Sequence, residues 1–123
     1  PEFTLMALSG FIEALRHAAD EADRSRQIRC RWTILAPDRQ PVRASCGVEI
    51  TPWQTFVDPA EFDYIAIVGG LLRAHPRLNP AITAYLRRAA HAGVPLIGVC
   101  TGSFILARAG LMRDRRCCVS YHH

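Results

Sequence analysis

The stretch GVPLIGVCTGSFILARAG, Gly93 to Gly110, decides the fold. VPLIGV is a short uninterrupted apolar run, the pattern of a buried strand. TGSFILARAG reads as a helix closed by Gly110. A single cysteine, Cys100, stands at the junction between Gly98 and Gly102. A strand that runs straight into a helix through G-x-C-x-G has the spacing of a nucleophile elbow, with cysteine in the serine position.

Working outward, YIAIVGG (Tyr64 to Gly70) is a second apolar strand, ending in two glycines. Between the two strands, NPAITAYLRRAAHAG carries complete helix punctuation: Asn79 as N-cap, Pro80 in the first turn and Gly93 just past the end. Downstream, RCCVSY reads as one more short strand. The order strand, helix, strand, helix, strand across residues 64–121 predicts two right-handed parallel crossovers. The fold class is α/β, a mostly parallel sheet with helices on both faces.

The first half of the chain fits around this unit. Leu5, Leu8, Ile12, Leu15, Ala19 and Ala22 recur at helical spacing and predict an amphipathic helix. CRWTILAP (Cys30 to Pro37) predicts a strand closed by the turn PDRQP. VRASCGVEI continues as strand material broken at Gly47, and TPWQTFVDPAEF, with two prolines, predicts a loop. The chain opens directly into a helix and stops just after a strand. This pattern is expected of a piece of a larger domain, truncated at both ends, whose sheet lacks a central strand. His122 and His123 are also compatible with the remnant of a purification tag.

Composition bounds the class. With 123 residues, half of them hydrophobic and 21% charged, the chain suits one globular domain with a single core. No apolar run is long enough to span a bilayer and no signal peptide opens the sequence, so a cytoplasmic protein with no membrane partner is expected. Five cysteines in an odd count, without zinc or disulfide-scaffold spacing, point to reduced thiols and no metal. Cys117 and Cys118, adjacent on a strand, would face opposite sides, which disfavours a metal pair. The net charge of +4 comes entirely from scattered arginines, a solvated face rather than a nucleic-acid patch.

The elbow is where chemistry concentrates. Ligands of open α/β sheets bind at the carboxyl ends of the strands. Here those ends are Gly69-Gly70 and Cys100-Thr101. A sharp strand-to-helix turn forces strained backbone on the cysteine and needs small neighbours where the chain crowds itself. The helix that follows would favour thiolate through its dipole. The Thr101 N–H, with one from Gly69 or Gly70, would supply an oxyanion hole. Cys30, Cys46, Cys117 and Cys118 lack this context and read as packing residues. His75, in the loop after the double glycine, and Arg73 beside it are further ligand-contact candidates, while His17 and His91 read as solvated helix residues.

YIAIVGG, the spaced helix and VPLIGVCTGSFILARAGLMRDRRCCVSY together resemble the ThiJ/PfpI superfamily, with its class I glutamine amidotransferase-like fold. Among its members they resemble most the amino-terminal sensor domain of GlxA-type regulators of the AraC/XylS class. PEFTLMALSGFIEALRHA and PVRASCGVEITP fit the same group. The resemblance implies a Rossmann-like, flavodoxin-like domain spanning residues 1–123 that dimerises and binds a small effector near the elbow. It also implies a helix-turn-helix DNA-binding region downstream, which this chain does not contain. Contact with DNA is expected only through that region, and the effector is expected to be a small, amino-acid-like metabolite. No cofactor is implied.

Active members of the superfamily pair the elbow cysteine with a histidine about one strand later and a glutamate near the first helix. In this sequence the histidine position falls on Ser120 and the glutamate position near Ala7; Tyr121 stands where related regulators carry tryptophan. Ser120 therefore joins the pocket as a ligand contact rather than a base. A thiolate without a positioned base is a poor hydrolytic catalyst. The reading is a binding domain with ligand contacts at Gly69, Gly70, His75, Cys100, Thr101 and Ser120, and with Cys100 as the catalytic residue of any activity it has. Two alternatives stay open. One is a cysteine-dependent hydrolase, hydratase or glyoxalase-like enzyme; the other is a redox sensor acting through Cys100 alone.

Overall fold

The computed structural model describes residues 2–20, 24, 26–71 and 78–115. In chain order its elements are α1 (Leu5–Ala19), β1 (Leu35–Ala36), β2 (Val42–Arg43), β3 (Glu49–Ile50) and β4 (Gln54–Thr55). A 3-10 turn (Pro59–Glu61), β5 (Ile65–Val68), α2 (Pro80–His91), β6 (Leu96–Val99) and α3 (Gly102–Arg108) follow.

The pair β5 and β6 forms the heart of the domain. The two strands run parallel in register from Ile65 opposite Leu96 to Val68 opposite Val99. The ladder is prolonged at both ends, by Ile65 N–H to the Pro95 carbonyl and by Gly69 N–H to the Val99 carbonyl, each at 3.0 Å. Parallel strands need a crossover between them. The segment from Asn79 to Gly93 supplies it, as its punctuation predicts. The Asn79 side chain accepts from the Ala81 N–H at 2.8 Å and Pro80 takes the first turn. At the other end Gly93 turns at φ 77°, and Val94 donates back to the Ala89 carbonyl at 3.0 Å. That left-handed position is open to glycine at little cost.

Ile65 and Ile67 lie two apart on β5 and therefore share a face. They form one buried cluster with Tyr85, Leu86 and Ala89 of α2, with Val94, and with Leu106 of α3. Burying each large aliphatic side chain contributes on the order of 2 kcal/mol. Tyr85 extends the cluster through a stacked contact with Phe56, whose ring centroid lies 4.2 Å away.

The strand expected over Cys30–Pro37 is paired only at Leu35–Ala36. Its partner is β4, inside the segment read as loop, and the pairing is parallel. Trp53 and Gln54 both donate to the Ile34 carbonyl, so the ladder starts there. The Gly47 break is a hairpin: β2 and β3 pair antiparallel, and Gly47 turns at φ 91°. Phe3 bridges Ala44 of this hairpin on one side and Gly70 on the other, tying the start of α1 to the end of β5. The strand expected around Cys117 and Cys118 lies outside the described residues. Among the described residues no helix is long and apolar enough to cross a membrane.

Candidate functional site

Cys100 occupies the turn between β6 and α3 with φ 56°, a left-handed backbone angle rare for a residue with a side chain. That is the strain expected of an elbow, and it leaves the thiol exposed at the carboxyl end of β6. Such conformations cost about 1–3 kcal/mol and persist where the surroundings enforce them.

Close backbone approach is what enforces this one. A side chain on Gly102 would collide with the carbonyl of Ile67, and one on Gly69 with the backbone of Thr101 and Gly102. The two glycines let the start of α3 sit directly against the end of β5. Thr101 locks the arrangement. It stands at the N-cap of α3 without capping it, and its hydroxyl instead donates to the Gly70 carbonyl at 2.7 Å. Thr101 is 8% exposed and Gly70 is half-buried, so this bond is partly shielded from water. Gly69, Gly70, Cys100 and Thr101 are thus brought together, as their positions after two parallel strands predict.

Two features of the expected chemistry differ in the structure. The Gly69 N–H, one of the donors considered for an oxyanion hole, is committed to the Val99 carbonyl. Gly70 is flanked by the bridge to the amino terminus, in which Leu71 donates to Glu2 and Thr4 donates to Gly69. The bridge takes the Gly69 carbonyl and the ladder takes the Gly69 N–H, so of the two glycines Gly70 is the donor left to consider. The helix after the elbow is only seven residues long, so its dipole is short.

Among the described residues, the hydrogen-bond partner of the Cys100 thiol is Thr4, whose hydroxyl lies 3.8 Å from the sulfur. Thr4 is the N-cap of α1. Its carbonyl accepts from Ala7 and Leu8, while its N–H is held by Gly69 at 2.9 Å, so the hydroxyl is presented to the elbow by the backbone. Among the described residues no carboxylate or imidazole bonds to Cys100. Beside Thr4 lies a shallow depression of about 360 Å³, also lined by Met6, Ser9, Ser45 and Cys46. Sequence reasoning did not select Thr4 or Cys46. Nothing in a threonine before a helix, or in a cysteine of a hairpin turn, announces contact with a residue so distant in the chain. His75, Arg73 and Ser120 lie outside the described residues. Among the described residues no group of three or more His, Cys, Asp or Glu is placed to hold a metal ion.

An α/β unit with a strained cysteine elbow, braced by glycines and a threonine at the ends of two parallel strands, defines the class of protein. The DJ-1/PfpI family model matches residues 9–123, and the chain belongs to that family. It is 35% identical over 118 residues to the HTH-type transcriptional regulator CdhR of Pseudomonas aeruginosa, covering 94% of this chain and 33% of the relative. It is 34% identical over 119 residues to the HTH-type transcriptional regulator GbdR of the same species, covering 97% of this chain and 31% of the relative. The isonitrile hydratase of Pseudomonas putida is 31% identical over 116 residues, 94% of this chain and 47% of the enzyme. The chain spans about a third of the length of the two regulators.

Proposed function

We propose that this chain is the effector-binding domain of a helix-turn-helix transcriptional regulator of the AraC class, working in the cytoplasm as a homodimer. The effector is a small amino-acid-like metabolite that binds at Gly70, Cys100 and Thr101, with His75 and Ser120 as further contacts. The observation that carries this reading is the partner of the thiol: Cys100 meets the Thr4 hydroxyl, which has no basicity to activate a nucleophile. The elbow geometry is retained while its sulfur faces an alcohol. Similarity to two regulators over nearly the whole chain supports the same reading. DNA contact belongs to the regulator's DNA-binding region rather than to this domain.

The test uses the intact regulator and its own upstream DNA, with affinity read by fluorescence anisotropy while amino acids and their derivatives are added. Cys100→Ser keeps the effector response within about threefold, since no step needs the thiol. Cys100→Trp fills the elbow and removes the response while DNA binding persists. Loss of the response in Cys100→Ser, with DNA binding intact, would assign the sulfur a chemical role and favour the enzyme or redox reading.

A further inference from the structure

A second depression, about 510 Å³, lies at the opposite end of the β5–β6 pair from the elbow. Its walls are Asp58 and Pro59 of the 3-10 turn, and Arg87, Arg88 and His91 on the last turns of α2. Cys100 follows the end of β6, whereas His91 precedes its start, so the full length of the strand separates the two places.

Both guanidiniums are held in place by the fold. Arg87 donates through Nε to the Ala109 carbonyl at the end of α3, at 3.0 Å, leaving its terminal nitrogens for other partners. Arg88 sits 5.8 Å from the centre of the Tyr85 ring, within the range of a cation–π contact. Among the described residues neither arginine forms an ion pair with a carboxylate. Asp58 lines the same depression and uses one carboxylate oxygen to cap the 3-10 turn through the Ala60 N–H. Tyr85, the ring that Arg88 lies over, is buried and is not itself a wall of the depression. It is 4% exposed, and its hydroxyl has no hydrogen-bond partner, an uncommon condition for a buried polar group.

We propose that this depression is a second ligand site, which takes the phosphate group of a small phosphorylated molecule between Arg87 and Arg88. Two pre-positioned guanidiniums match the charge of a phosphate dianion, and their planar forks suit its oxygens. His91 adds a ring nitrogen on the same face of α2. Asp58 would repel a bare anion, but it accepts a hydrogen bond from a hydroxyl or amine elsewhere on the ligand. The carboxylate at its wall favours a small phosphorylated compound that also carries a hydroxyl or amine over a nucleic-acid backbone. The volume falls within the range of small-molecule sites.

The test is calorimetric titration of the intact protein with inorganic pyrophosphate, run in parallel with a 20-base-pair DNA duplex. Saturable pyrophosphate binding is expected, weakened about tenfold or more in Arg88→Gln, as for loss of a charge-assisted bond. Asp58→Asn retains the oxygen that caps the turn but removes the charge, and is expected to tighten pyrophosphate binding several-fold. A merely structural role for these residues predicts no such gain. Pyrophosphate binding that fails to saturate, or is equal in wild type and both variants, overturns the proposal. Binding of the duplex alone, weakened by Arg88→Gln, overturns it in favour of a nucleic-acid contact.

Discussion

The Cys100 sulfur lies 3.8 Å from the Thr4 hydroxyl, joining the elbow to the first turn of α1. Two strained or crowded segments therefore meet at the end of β5. Thr4 is fixed there by its own N–H to Gly69, and Cys100 by the packing of α3 against Gly69 and Ile67. Each of these anchors makes a separate expectation.

The left-handed angle at Cys100 ranks its substitutions by backbone preference rather than by chemistry. Cys100→Ser and Cys100→Ala change stability by less than about 1 kcal/mol, whereas β-branched Cys100→Val costs about 1–3 kcal/mol. Cys100→Gly is at least as stable as Cys100→Ala. Urea midpoints at constant m-value give the order, and a Val variant as stable as Ala would mean that the turn is not left-handed in solution.

Thr101→Val keeps the shape of the side chain but removes the donor to the Gly70 carbonyl. Losing this half-buried hydrogen bond costs about 0.5–1.5 kcal/mol. Thermal unfolding checks this, and a Val variant within experimental error of wild type would show that the carbonyl is solvated.

Gly102→Ala and Gly69→Ala place a methyl group where the backbones of β5 and α3 touch. Each costs about 1–3 kcal/mol by overpacking. Because both methyls disturb the same contact, the double variant loses less than the sum of the singles. Strict additivity would mean that the two glycines act independently.

Burial pushes the Tyr85 phenol above its ordinary value of 10.0; Arg88 opposes the rise, while Asp58 and Glu61 add to it. The unfolded chain therefore releases this proton first as pH climbs. Below pH 10 the group leaves stability unchanged, and above it the folded state loses stability until the folded phenol also ionises. Tyr85→Phe removes that alkaline component and, by deleting a hydroxyl without a partner, is neutral or slightly stabilising at pH 7. Stability profiles from pH 8 to 11 for the two proteins test the sign; parallel profiles would contradict it.

The sequence revealed the elbow because every local signal agreed there. VPLIGV, the G-x-C-x-G spacing and the helix up to Gly110 allow one geometry, and Asn79, Pro80 and Gly93 fix the crossover that makes the strands parallel. β4 was not legible, since Gln54–Thr55 lies between Pro52 and Pro59 and borrows its order from Ile34. Thr4 was not legible either. Its role comes from a bridge between Phe3 and Gly70 that pairs residues far apart in the chain, and no local pattern encodes such a pairing. The basic depression beside Asp58 was half visible: Arg87 and Arg88 are plain in the sequence, but only the fold brings them to the 3-10 turn.

The central claim is that the elbow binds a small metabolite without converting it. The measurement that tests it most directly is nuclear magnetic resonance on the ¹⁵N-labelled intact protein, mixed in turn with amino acids and their derivatives. Protein amide signals and ligand proton signals are followed in the same tube. The account predicts a compound that saturably shifts the amides of Gly70, Cys100 and Thr101 while its own spectrum stays unchanged for hours. Conversion of the compound at a rate abolished by Cys100→Ser, or saturable binding that leaves those three amides unmoved, would contradict it.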